Sequence, residues 1–180
     1  MPGPVFRSND RVALRTVAPE DADFLARCRN DPTVRRWFPS ARVVTHAVVE
    51  DEMERRAGSD EGAQFVITPP DDDRRLGFAG LFDIDDTAGT GEIGAWLAPE
   101  AQERGLGTAT TRELVAYAFA ERRLHKVVAR AAAHNERSQA TLETVGFTEE
   151  ARLRERHVVD GEWVDRVDYG LLRREWVEET

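Results

Sequence analysis

Gln102-Glu103-Arg104-Gly105-Leu106-Gly107-Thr108 is the stretch of this 180-residue chain whose residue types and spacing can do chemistry. Two glycines two residues apart let the backbone bend so that successive N–H groups converge, and the helix expected to follow exposes its free N-terminal donors. Such a loop binds pyrophosphate oxygens without a lysine. Arg104 adds a charge-assisted contact on that reading; the plainer alternative is a turn with ordinary glycines and a solvated arginine. Two other phosphate-binding motifs do not fit. A dinucleotide fingerprint needs a third glycine three residues after Gly107, where Thr110 stands, and a nucleoside-triphosphate loop needs Gly-Lys-Ser/Thr, whereas the single lysine is Lys126. His46, His125, His134 and His157 lack paired ligand spacing, so no metal site is expected. No Gly-x-Ser-x-Gly elbow is present for a serine hydrolase.

The elements that must carry this loop follow from the hydrophobic pattern. Val12 and Leu14 alternate with polar residues as a first strand, and Pro19 opens a helix with Ala22, Leu25 and Cys28 on one side, closed before Asp31-Pro32. A short turn gathers Val34, Trp37 and Phe38. Thr45 caps a helix through Val48, Val49 and Met53, stopped at Gly58. Strands are expected over 64–68, 76–84 and 92–98, separated by the turns at 69–73 and 85–89. The glycine loop then leads into a helix to Arg123 with Leu114, Val115, Ala118 and Phe119 on one face. A strand over 127–133, a helix ended by Gly146, and two strands joined at Asp160-Gly161 complete the order. The result is a mixed α/β fold of about seven strands, antiparallel in its front half and parallel in the middle.

Length and composition suit one soluble domain over residues 1–180: 41% of residues are hydrophobic, 33% are charged, and the formal charge is −9. The acidic balance and scattered arginine pairs argue against a nucleic-acid partner, and no apolar run is long enough for a membrane span. The start of the chain shows no secretory pattern, and the lone Cys28 points to a reducing compartment, so a cytoplasmic protein is expected.

With these elements in place, the chain resembles the GNAT superfamily of acetyl-CoA-dependent N-acetyltransferases. The pyrophosphate motif Gln/Arg-x-x-Gly-x-Gly/Ala matches Gln102, Gly105 and Gly107, in the family's order of strand, motif, helix and strand. Asn135-Glu136-Arg137-Ser138 and Gly146-Phe147, with Val12-Ala13-Leu14-Arg15 and Asn30-Asp31-Pro32, look most like the ribosomal-protein N-terminal acetyltransferases (RimJ/RimL-like).

The resemblance implies two central parallel strands that splay into a V-shaped cleft. Acetyl-CoA would enter with its pantetheine arm against the backbone of Ala95, Trp96 and Leu97. Its pyrophosphate would lie on Gln102, Glu103, Arg104, Gly105, Leu106, Gly107 and Thr108, and Asn135 and Ser138 would complete the site; Asn135 also suits a helix cap. The implied reaction is direct attack of a neutral amine on the thioester, with Leu97 N–H as oxyanion donor and Glu92 as base. A solvated carboxylate at a strand start is the alternative for Glu92. Trp37, Phe38, Trp96 and Tyr169 would wall the acceptor pocket, although such aromatics also suit a core. Leu142 stands where many members carry a proton-donating tyrosine, leaving Ser138 or Tyr169 to assist the departing thiolate. The expected acceptor is a protein N-terminal amine. The alternatives are a small amine (a polyamine or aminoglycoside-like antibiotic), an acyl-CoA sensor without turnover, or a plain structural module. A homodimer is implied by resemblance alone.

Overall fold

The computed structural model describes residues 3–38, 42–56 and 62–176. Its strands are β1 (Val5–Ser8), β2 (Ala13–Thr16), β3 (Ala63–Thr68), β4 (Gly77–Asp85), β5 (Thr90–Leu97), β6 (Lys126–Ala132), β7 (Thr148–Val159) and β8 (Glu162–Leu172). The helices are α1 (Ala22–Asn30), α2 (Pro32–Arg35), α3 (His46–Arg56), α4 (Leu106–Ala120) and α5 (Glu136–Val145). All eight strands form one mixed sheet in the order β1-β2-β3-β4-β5-β6-β8-β7, in which β5–β6 is the parallel pair.

The sequence pattern anticipates every strand except β1. That strand has four largely exposed residues at the sheet edge, too few to show alternation. Its Phe6 nevertheless stacks on Phe65 and meets Tyr117 edge-on, with ring centroids 5.3 and 5.2 Å apart. Local signals act as expected elsewhere. Thr45 Oγ1 accepts from Val48 N–H at the start of α3, whereas Gly58 lies outside the described residues. Gly146 takes φ +110° and returns its N–H to Leu142 and Glu143, ending α5. Asp160 and Gly161, at φ +53° and +85°, make the tight turn between β7 and β8.

Two cores flank the sheet. On one face, α4 and α5 pack Leu114, Val115, Leu142 and Val145 over Leu81, Ile93, Val127 and Tyr169. On the other, α1 and α3 bring Phe24, Leu25 and Val49 against Phe78, Trp96 and Ala98. Helix α4 is buried on more than the expected single face, because Ala109, Thr110, Thr111 and the run Leu114–Phe119 are all shielded from solvent. No helix among the described residues is long and apolar enough to cross a membrane.

Candidate functional site

The site begins where β5 and β6 part. Their pairing consists of Thr90–Lys126, Gly91–Val127 and Glu92–Val128, after which β5 continues to Leu97 against β4 alone. β6 continues to Ala132 against β8. A cleft therefore opens between residues 93–97 and 129–132. The hydrogen bond from Ala98 N–H to Leu76 C=O, 2.8 Å, turns the even-numbered backbone groups of β5 toward β4. The N–H and C=O groups of Ala95 and the N–H of Leu97 consequently face the cleft. Trp96 turns its backbone to β4, and its indole stacks on Phe78 at 5.9 Å and lies 6.1 Å from Phe24, within the α1-side core. It is a packing residue that borders the cleft; its backbone does not line it.

The glycine loop closes one end of this cleft. Glu103 and Gly105 both adopt left-handed conformations, φ +61° and +72°, so the chain curls before entering α4. A non-glycine residue held at positive φ is strained, and such strain concentrates at functional turns. No side chain caps the start of α4, so the N–H groups of Leu106, Gly107 and Thr108 have no acceptor within the helix. A Cβ added to Gly107 would stand 3.8 Å from Thr141 Oγ1, with no closer neighbour, so this backbone is open toward α5.

Three side chains brace the loop. Gln102 Nε2 donates to Leu97 C=O at 3.1 Å, while Arg137 of α5 donates to Gln102 Oε1 at 3.1 Å and Glu103 Oε1 at 2.6 Å. Gln102 and Glu103 thus tie the cleft's two walls together. From the opposite side Arg11 donates to Arg104 C=O at 2.6 Å, in a groove of about 530 Å3 along α4 that also includes Gly105 and Thr108. The open helix start and curled backbone fit an anionic pyrophosphate.

Glu92 lies on the other face of the sheet, at the point of parting. Its carboxylate is 20% exposed, and burial pushes its pKa above the ordinary glutamate value, against the lowering influence of Arg130. Arg130 Nη1 is 2.7 Å from Glu92 Oε2, yet that buried oxygen has no aligned hydrogen-bond donor among the described residues. Asp83, Arg166 and Asp168 complete the charged surroundings. Arg166 is held by Asp168 through two aligned bonds of 2.6 and 2.8 Å. Glu92 is thus partly buried and paired with Arg130, and is not a fully solvated strand carboxylate.

Comparison with known proteins places the chain in a family. The Acetyltransferase (GNAT) domain model matches residues 11–148. This chain belongs to the GNAT acetyltransferase family. A curated relative, YdaF of Bacillus subtilis (strain 168), named provisionally as a ribosomal N-acetyltransferase, is 32% identical over 175 residues, covering 93% of this chain and 94% of its own. Among solved structures, spermidine N-acetyltransferase from Vibrio cholerae in complex with CoA and spermine superposes with TM-score 0.87 at 21% identity, covering 93% and 98% of the two chains. Mycobacterium smegmatis RimJ in complex with CoA-disulfide has TM-score 0.81 at 24% identity, covering 91% and 83%.

The remaining residues of this acetyltransferase divide between the two faces. Asn135 caps α5, its Oδ1 accepting from Ser138 N–H at 3.2 Å. Ser138 is half-buried at the head of α5, one turn before Leu142, which is buried in the core. Ser138 and Glu92 therefore lie on opposite faces of the sheet. Trp37 packs on Ala132, Val159 and Val164, and Arg36 pairs with Asp160, so α2 is latched to the β7–β8 turn. Phe38 is half-buried just beyond α2. Tyr169 does not join Trp37 and Phe38: it is 1% exposed beneath α5 and donates its hydroxyl to Glu143 at 3.0 Å. Burial and that carboxylate raise its pKa to about 12. Arg11, Arg130 and Arg137 have no role that the sequence pattern reveals, because each acts on a partner at least 34 residues away. Only Arg137, inside the Asn135–Ser138 motif, carried a local signal.

Proposed function

We propose that this N-acetyltransferase transfers the acetyl group of acetyl-CoA to a protein N-terminal α-amine, of the ribosomal-protein type. The observation that carries the reading is the mixed charge around Glu92: Arg130 and Arg166 stand among Asp83, Glu92 and Asp168. A peptide terminus presents one ammonium to the carboxylates, followed by carbonyl oxygens that can accept from the guanidiniums, whereas a polyamine presents ammonium groups alone and offers the guanidiniums no acceptor. The provisional name of the relative YdaF supports the same acceptor. The fold likeness to a spermidine acetyltransferase keeps a polyamine as the second reading.

In this proposal the pyrophosphate rests on the N–H groups of 106–108, and the pantetheine arm runs along Ala95 and Leu97. An α-amine has a reference pKa of about 7.7–8.0, so Glu92 takes its proton, directly or through one water. The neutral nitrogen attacks the thioester carbonyl, and Leu97 N–H donates to the resulting oxyanion. Collapse breaks the C–S bond, the nitrogen's surplus proton passes to the departing thiolate, and the Ser138 hydroxyl supports that thiolate from the α5 side. Acetyl-CoA consumption measured with N-terminal peptides and with spermidine tests the acceptor. We expect peptides to be favoured at least about tenfold in kcat/KM; a preference for spermidine would assign the polyamine instead.

Ser138→Ala is expected to lower kcat roughly 10- to 100-fold, less than loss of a true general acid. Tyr169→Phe, run beside it, should leave kcat unchanged and cost about 1 kcal/mol of stability through the lost bond to Glu143. A loss of kcat confined to Tyr169→Phe would sink the serine assignment. A raised acetyl-CoA KM with unchanged kcat in Ser138→Ala would leave Ser138 as a binding residue only.

A further inference from the structure

Arg130 and Glu92 form an ion pair that is close but unfinished. The guanidinium of Arg130 is 45% exposed and stands 2.7 Å from a buried carboxylate oxygen without aiming an N–H at it. Neighbouring Arg166 is held by two aligned bonds to Asp168. Of the two arginines, Arg130 is the one that can swing aside without breaking an aligned bond. A buried carboxylate oxygen without an aligned donor is costly, and it accepts a donor that reaches it in good geometry.

We propose that Arg130 is a specificity-determining residue that exchanges partners when the acceptor binds. The acceptor's ammonium takes its place at Glu92 Oε2, and the displaced guanidinium then donates to the carbonyl oxygen of the acceptor's first residue. Those two acceptor atoms are separated by one Cα–C unit, about 3 Å, so neighbouring groups on adjacent strands can bind both. The exchange selects amines that carry a carbonyl or carboxylate on the adjacent carbon. Simple alkylamines and polyamines supply the ammonium but leave the displaced arginine without a partner. The inference rests on the N-terminal reading above and adds the residue that enforces it.

The test compares a short peptide amide bearing a free N-terminal glycine with its analogue in which the first carbonyl is a methylene, using the parent enzyme, Arg130→Ala and Arg130→Lys. The difference in amine pKa between the two acceptors cancels when the effect of each substitution is compared across them. Loss of a charge-assisted hydrogen bond corresponds to roughly 10- to 100-fold. Removing Arg130 also takes a positive charge from beside Glu92 and slows both acceptors alike. Arg130→Ala should therefore lower kcat/KM for the peptide by that factor more than for the methylene analogue, with the acetyl-CoA KM unchanged and partial recovery in Arg130→Lys. Equal losses on both acceptors, with the peptide still favoured over spermidine, would overturn the role of Arg130 and leave the N-terminal reading standing. A parent enzyme that prefers spermidine to the peptide would overturn both.

Discussion

Glu92→Gln is expected to lower kcat about 100-fold at pH 7, near the lower end of what a positioned general base contributes. The loss should shrink toward pH 9, where an α-amine with a pKa of about 7.7–8.0 is already mostly neutral and needs no base. In the parent enzyme the rate should fall on the acid side at a pH above the ordinary glutamate value, because burial holds the Glu92 pKa up and protonation removes the base. The stability effect has the opposite sense. A carboxyl group whose folded pKa is raised contributes fully below its unfolded pKa, and that contribution is lost as pH rises through the folded value. Glutamine has no such dependence, so the variant should not melt below the parent at pH 7. The pH–rate profiles of both proteins, with thermal melts beside them, check the prediction. A loss that stays the same from pH 7 to pH 9 would remove Glu92 from the proton-transfer step.

Gly107→Val carries the second large effect, about 10- to 100-fold weaker CoA binding with the fold retained. The position has ordinary φ, and a first added carbon meets only Thr141 at 3.8 Å. The branched methyl groups of valine would extend into the space between α4 and α5 and obstruct close approach to the backbone N–H groups. Gly107→Ala, which adds only the tolerated Cβ, should bind far better than the valine variant. Gly105 is a different case. Its φ of +72° means that a side chain there costs about 1–2 kcal/mol of stability, so its replacement mixes folding with binding. Calorimetry of CoA binding to the three variants separates the effects; tight binding by Gly107→Val would move the pyrophosphate away from this loop.

Much of the frame was legible because its signals are local. Asp160-Gly161 makes its turn through the φ values of two adjacent residues, and Gly146 ends α5 by returning its N–H within one turn. The Gly105–Gly107 spacing likewise predicts a curled loop ahead of a helix, and the structure has that loop. Strand β1 was not legible, since four exposed edge residues gain their place from contact with β2 and from Phe6 lying against Phe65 and Tyr117.

What the sequence by itself determined is the order of elements, the turns, the caps and the residue types available at the cleft. Each depends on groups within a few positions of one another, where backbone conformation and hydrogen bonding act directly. Only the tertiary structure decided that β5 and β6 part after Glu92–Val128, that Tyr169 turns under α5 to Glu143, and that Arg130 reaches Glu92. It likewise decided that Arg137 binds Gln102 and Glu103 across the cleft. A strand's register sets which face each side chain occupies, and a displacement of one residue reverses every face. Burial, which raises the Glu92 pKa against the lowering influence of Arg130, therefore acts only once distant strands have paired.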